Sequence, residues 1–268
     1  MLNAIRSEFR KYFTTRLWWG MAAGIIAAAA LFTGFFAFVF IELAPETATA
    51  PGMPTEMDPV EVANSVYTAG LQVAYVLLLT IGVLQIGSEY RHKTMTATFL
   101  ATPRRLQALL AKAVALVGIA VVNGLLSVVT SGVVGAVMMK LLGADPFPSA
   151  EVFRTMALSL LVLAVYALVG LGIGILIPNQ VAAIIVAIGV AWIVEPLATF
   201  GIGFWDWGAQ HLVQYLPTQA TSAVISGIDS SGVGAARLSW WAGSLVLIAY
   251  AVVLAGIGIW RAAREDVG

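Results

Sequence analysis

Residues 156–200 read MALSLLVLAVYALVGLGIGILIPNQVAAIIVAIGVAWIVEPLATF, with Glu195 as the single charged side chain. A membrane-spanning helix needs roughly 20 consecutive, mostly apolar residues. Two such runs fit here, 156–177 and 181–200, separated only by Pro178-Asn179-Gln180. So short a connection predicts a tight turn between antiparallel neighbours. Glu195-Pro196 interrupts the second run, which predicts that this span is shorter than its apolar length.

Working outward, four more segments qualify: 17–41, 66–86, 111–139 and 240–260. The third span, 111–139, is longer than a bilayer requires, so it tilts or projects beyond the membrane. The first follows basic residues, as a secretory signal does. Its apolar run exceeds the usual signal core of about 7–15 residues, so it reads as a retained anchor. Composition agrees with an integral membrane protein. Hydrophobic residues make up 60% and charged residues 10%, with mean hydropathy +0.93. Soluble domains carry roughly 25% charge.

The eight tryptophans, Trp18, Trp19, Trp192, Trp205, Trp207, Trp240, Trp241 and Trp260, all lie near span ends or in adjoining loops. Indole prefers the headgroup zone, where its ring is buried and its N–H stays wet. Lysine and arginine set the expected orientation. With both termini inside, Arg6, Arg10, Lys11, Arg16, Arg91, Lys93, Arg104, Arg105, Lys112, Arg261 and Arg264 are cytoplasmic, 11 of the 14 bases. Lys140, Arg154 and Arg237 fall outside. The first outer loop, 42–65, carries five acids and no base, and its Pro, Thr and Ala content predicts a largely mobile segment.

Three other segments lie outside the spans. Residues 1–16 place Ile5, Phe9, Tyr12 and Phe13 at helical spacing with bases on other faces. This suits an amphipathic helix in the inner interface, or an ordinary basic flank that is helical. The inner loop 88–105 reads SEYRHKTMTATFLATPRR, charged and helix-compatible until Pro103. It reads as a solvated topology-setting loop or as a docking helix. The outer stretch 201–239 is too polar to span, and its segment 210–225 suits short helices.

Much chemistry is missing. No cysteine is present, which excludes disulfides and thiolate sites, and acids and bases balance at 14 each. There is no phosphate loop, no HExxH and no GxSxG. His92 and His211 fall on opposite sides of the expected membrane, which argues against a His-based metal or catalytic site. Nothing resembles a nucleic-acid platform. Gly170, Gly172 and Gly174 sit inside a span, where small residues let helices approach closely, so packing explains them better than nucleotide binding.

Polar groups within spans are few. Gln72 and Tyr75 share one face of span two, and Asn123, Ser127 and Thr130 one face of span three. Such stripes line a substrate path or hydrogen-bond between helices. Glu195 is a functional candidate as an intramembrane acid. Flanking Trp192 and Pro196 favour an interfacial position where it stays wet.

The run Ser88 to Arg105, with Glu89-Tyr90-Arg91, Thr94, Thr98 and Pro103-Arg104-Arg105, then Ala111-Lys112, resembles the ABC-2 type permease family. Gly170 to Gly174 followed by Pro178-Asn179-Gln180 is similar to that family's turn between spans four and five. Leu216-Pro217-Thr218 is similar to a short outer motif. Lys93 departs from the glycine many relatives carry. The resemblance covers essentially the whole chain as one transmembrane domain, all-helical with six spans and both termini inside. It implies that 1–16 is a connecting helix and 88–105 a coupling helix seated in a separate ATPase subunit. Coupling would fall to Glu89, Tyr90, Arg91, Thr94, Thr98, Pro103, Arg104 and Arg105. Glu195, Leu216 and Pro217 would belong to an outer gate in 201–239. Gln72, Tyr75, Asn123, Ser127 and Thr130 are candidates for the path.

The expected function is therefore the permease subunit of an ATP-driven exporter of a drug, lipid or peptide in a bacterial cytoplasmic membrane. Its partners would be two copies of an ATPase, which holds ATP and Mg²⁺, a second permease copy and membrane lipids, with no nucleic acid. This chain would carry no cofactor and catalyse nothing itself. A lipid-modifying membrane enzyme would need clustered acids, bases or metal ligands at one leaflet. A regulatory subunit of an envelope complex would usually carry a large outer domain. An ion channel would need a charged ring or filter-like loop.

Overall fold

The computed structural model describes residues 1–43, 58–94, 105–225 and 238–264. Among these every regular element is helical. The helices are α1 (Leu2–Thr14), α2 (Leu17–Phe38), α3 (Pro59–Thr68), α4 (Leu71–Arg91), α5 (Arg105–Leu141), α6 (Glu151–Leu176), α7 (Gln180–Gly189), α8 (Glu195–Gly203), α9 (Asp206–His211), α10 (Pro217–Ile225) and α11 (Trp240–Arg264). Six helical stretches are long and apolar enough to cross a membrane: Leu17–Leu43, Pro59–Arg91, Arg105–Leu141, Glu151–Leu176, Gln180–Gly203 and Trp240–Ala262. This is a multi-pass helical membrane architecture. One end of the bundle carries α1 and the last turn of α11, and is called the terminal end below.

α4 and α6 form the centre. The spans that contain them are the most buried, while the Gln180–Gly203 span is the least. Their backbones touch. A methyl group added at Gly170 would meet the Leu79 carbonyl, and one at Gly82 the Ala167 carbonyl. Gly174 faces the same helix, where its added carbon would lie 2.7 Å from Ile86. Gly172 points the other way, toward α11, where an added carbon would lie 2.6 Å from the Leu254 backbone. The glycine run thus lets α6 pack closely on two helices at once. Helix-to-helix contact in a lipid solvent depends on such close approach, because burial from water drives little of it.

The second span starts earlier than its hydropathy indicates. Asp58 caps α3, its carboxylate accepting the Val60 N–H at 2.8 Å, and Pro59 fits the first turn. Residues 59–65, read from sequence as part of a mobile loop, are therefore helical. Residues 44–57 of that loop lie outside the described residues. Between α3 and α4 the chain passes so close to α2 that a methyl group at Gly70 would lie 2.6 Å from Ala29 Cα.

The fifth span is not shortened by Pro196. α7 and α8 are joined without a break by a π-helical turn, Val190–Val194. Proline inside a helix loses a hydrogen bond and crowds the carbonyl four residues back. The wider turn just before Glu195-Pro196 absorbs that conflict, as π-turns do. A second π-turn, Val39–Leu43, ends the first span. α5 gives about 55 Å of helix at the usual rise, well beyond a hydrocarbon core. The 201–239 stretch contains α9, a single 3₁₀ turn Val213–Tyr215, and α10, which folds back against α11 and α6.

Candidate functional site

Two places bring polar side chains together inside this apolar frame. The first is at the terminal end. α1 lies against α5, with the Phe9 ring covering Gly118 and the Asn123 amide donating to Tyr12 Oη at 3.2 Å. This docking turns Glu8 inward beside Tyr12. Facing Glu8 is Lys112, 1% exposed, whose ammonium donates to Glu8 at 2.9 Å and to Glu89 at 2.6 Å. Lys11 closes the cluster, 2.8 Å from Glu8 and 2.7 Å from Glu89. Two acids and two bases neutralise one another, which is the condition for burying such charges.

The cluster ties three segments into one unit: α1, the last turn of α4 and the first turns of α5. Burial by itself would raise the Glu8 carboxyl, but the ammonium groups of Lys112 and Lys11 hold it below its ordinary value. Burial would lower Lys11, and its hydrogen bonds to Glu8 and Glu89 raise it instead. A cavity of about 780 Å³ opens beside the cluster, bounded by Tyr12, Gln85, Ser88, His92 and Gln180.

Among the residues expected to couple to an ATPase, the structure separates two kinds. Glu89 is buried in the ionic cluster. It faces the protein's own lysines, so its place is inside the bundle. Arg91 and Thr94 are exposed, at and just beyond the end of α4, while Tyr90 packs against the core. Arg105 opens α5. Thr98, Pro103 and Arg104 lie outside the described residues. The first residues of the expected coupling helix, 88–91, continue the spanning helix α4 instead of forming a helix of their own.

The second place is at the opposite end. Phe32, Phe36 and Phe40 of the first span form one wall of a cavity of about 520 Å³. Gln72, Tyr75, Trp192, Thr218, Thr221 and Ser222 complete it. Tyr75 stacks on Tyr166, ring centroids 4.4 Å apart, and the Tyr166 hydroxyl lies 3.3 Å from Thr221 Oγ1. Both π-turns border this cavity, one contributing Phe40 and the other Trp192.

Glu195 sits immediately behind it. The interfacial, hydrated position read from the sequence is corrected by the fold. Glu195 is 7% exposed and its carboxylate accepts the backbone N–H of Thr218. Pro217 and Thr218 form the first turn of α10, so the carboxylate caps a helix N-terminus, where free N–H groups and the helix dipole favour an anion. Leu216, Pro217 and Glu195 are thus brought together, with Leu216 half-buried at the entrance to α10.

The two polar stripes are not united. Gln72 and Tyr75 line the second cavity. Asn123 is occupied by Tyr12 and by the Ile119 carbonyl at 2.9 Å, and Thr130 donates to the Leu126 carbonyl at 2.7 Å. Neither cavity is lined by Asn123, Ser127 or Thr130. Asn123 works as the dock for α1. Glu8, Lys11 and Lys112 carry the terminal-end cluster without standing out as site residues in the sequence. Their one local signal is Glu8 itself, three residues before Lys11 and four before Tyr12, on the face that α1 buries. No protein-family model matches the chain, and no curated protein matches it significantly.

Proposed function

We propose that this chain is the permease subunit of an ATP-driven exporter of the ABC-2 type, working as a dimer with two copies of a separate ATPase in a bacterial cytoplasmic membrane. In this reading the terminal end is cytoplasmic and the 520 Å³ cavity belongs to the outer half. The observation that carries it is the buried cluster of Glu8, Lys11, Glu89 and Lys112. Glu89 and Lys112 stand on either side of the 92–105 connection, where the sequence resembles a coupling loop. A push on that connection reaches α1, α4 and α5 together, because all three share the same ion pairs. Arg91 and Thr94, exposed at the end of α4, would meet the ATPase, and Glu89 would transmit the motion. The path would run along α4, whose far end carries Gln72 and Tyr75. α10, capped by Glu195, would form the outer gate.

ATP binding then supplies the differential free energy between an inward and an outward state, and the permease supplies the two states. Native purification in mild detergent, followed by mass spectrometry, tests the reading. It expects a stoichiometric companion bearing a phosphate-loop motif, with substrate-stimulated ATPase activity. With that companion present, Arg91→Ala combined with Thr94→Ala should leave the bundle folded and sever ATP hydrolysis from transport. A self-associated chain with no nucleotide-binding companion, under conditions that preserve known transporters, would overturn the reading and favour a membrane enzyme.

A further inference from the structure

Glu195 is a buried acid inside a span, and among the described residues no basic side chain pairs with it. Ionisable groups within spans are rare and mark candidate functional sites. The α10 N-terminus offers only about half a positive charge. When ionised, Glu195 therefore places a net negative charge behind Thr218, which itself lines the cavity. No Lys, Arg or His lines that cavity.

Much of its lining is aromatic. Phe32, Phe36 and Phe40 face it from the first span, and Trp192 faces it from the π-turn of the fifth. Aromatic faces attract cations, most strongly where water is excluded. One more polar group lines the cavity. Gln72 is exposed within an apolar span, and its amide makes no hydrogen bond to the described residues. Its amide is therefore available to a polar group that enters the cavity. The volume of about 520 Å³ suits a small amphiphile.

We propose that this cavity binds an amphiphilic organic cation, its apolar body against the phenylalanines and its charged centre between Trp192 and the Glu195 side. An anionic amphiphile is rejected by the same carboxylate. Binding at this site does not depend on the permease reading; that the cation is the exported cargo does.

The test uses two probes of the same shape and opposite charge, tetraphenylphosphonium and tetraphenylborate. The full chain is reconstituted in phosphatidylcholine nanodiscs, and binding is measured by equilibrium dialysis against empty nanodiscs. The expected result is saturable binding of the phosphonium alone. Glu195→Gln keeps an acceptor for the Thr218 N–H and removes the charge, and should weaken phosphonium binding by about tenfold. Phe36→Ala touches no cap and no ion pair, and should weaken it by about threefold or more. Equal saturable binding of the borate, no saturable binding of the phosphonium, or two folded variants that bind it like the native chain would overturn the proposal. Purification without an ATPase companion would overturn the permease reading and leave this result standing.

Discussion

Lys112→Met removes the best-buried charge among the described residues with little change of volume. In the native cluster the Lys112 ammonium contacts Glu8 at 2.9 Å and Glu89 at 2.6 Å. Without it, two buried carboxylates lose their shared buried ammonium, while Lys11, which also bonds both, has a side chain 52% exposed and partly solvated. Stripping one partner from a buried ionic group costs about 3–5 kcal/mol, because the remaining charge is left uncompensated. For a chain of this size that corresponds to about 6–15 °C in the unfolding midpoint. The measurement is thermal unfolding of the purified protein in detergent, followed by circular dichroism. Lys11→Met, at the solvated edge, should cost about 1 kcal/mol or less. The decisive comparison is the triple variant Glu8→Gln, Glu89→Gln, Lys112→Met. It removes every charge that Lys112 balanced, so it should recover most of the loss. If Lys112→Met unfolds within about 2 °C of the native chain, or if the triple variant is no better than the single one, the cluster is not a buried ionic lock.

Charge and packing in the bundle set further expected outcomes. The Glu8 carboxyl is held below its ordinary value, so its contribution is complete above the unfolded-state value of 4.5 and disappears as pH falls through the lower folded value. Lys11 is raised, so its contribution is complete below 10.5 and disappears only as pH rises through the higher folded value. Unfolding midpoints measured against pH should therefore show an acid limb below 4.5 that Glu8→Gln diminishes, and an alkaline limb above 10.5 that Lys11→Met diminishes. Gly170→Val places a branched side chain against the Leu79 carbonyl and should cost about 3 kcal/mol or prevent folding. Gly189→Ala, with open space around it, should instead gain about 0.5–1 kcal/mol, and size-exclusion profiles with thermal unfolding distinguish the two.

The sequence by itself determined the six apolar spans. A bilayer demands internal backbone hydrogen bonding over a set length, so run length and composition carry that information locally. The glycine run at Gly170, Gly172 and Gly174 was legible as packing for the same reason: in lipid, only small side chains let backbones meet. Gln72, Tyr75, Leu216 and Pro217 were legible as polar or turn-forming residues in unusual places, although not as neighbours.

Tertiary structure decided the rest. Lys112 lies 104 residues from Glu8 and 23 from Glu89. No local pattern shows that these charges meet, and counted singly Lys112 was one more base at a membrane edge. Glu195 read as hydrated because Trp192 and Pro196 suggested an interface. α10, arriving more than twenty residues later, folds back over it and supplies the Thr218 N–H that lets the carboxylate be buried. Pro196 read as an end to the span, and the π-turn before it carried the helix through. Helix content follows from each residue's own solvent preference. The pairing of charges and the walls of cavities depend on which helix faces which, and that is settled only when the whole bundle packs.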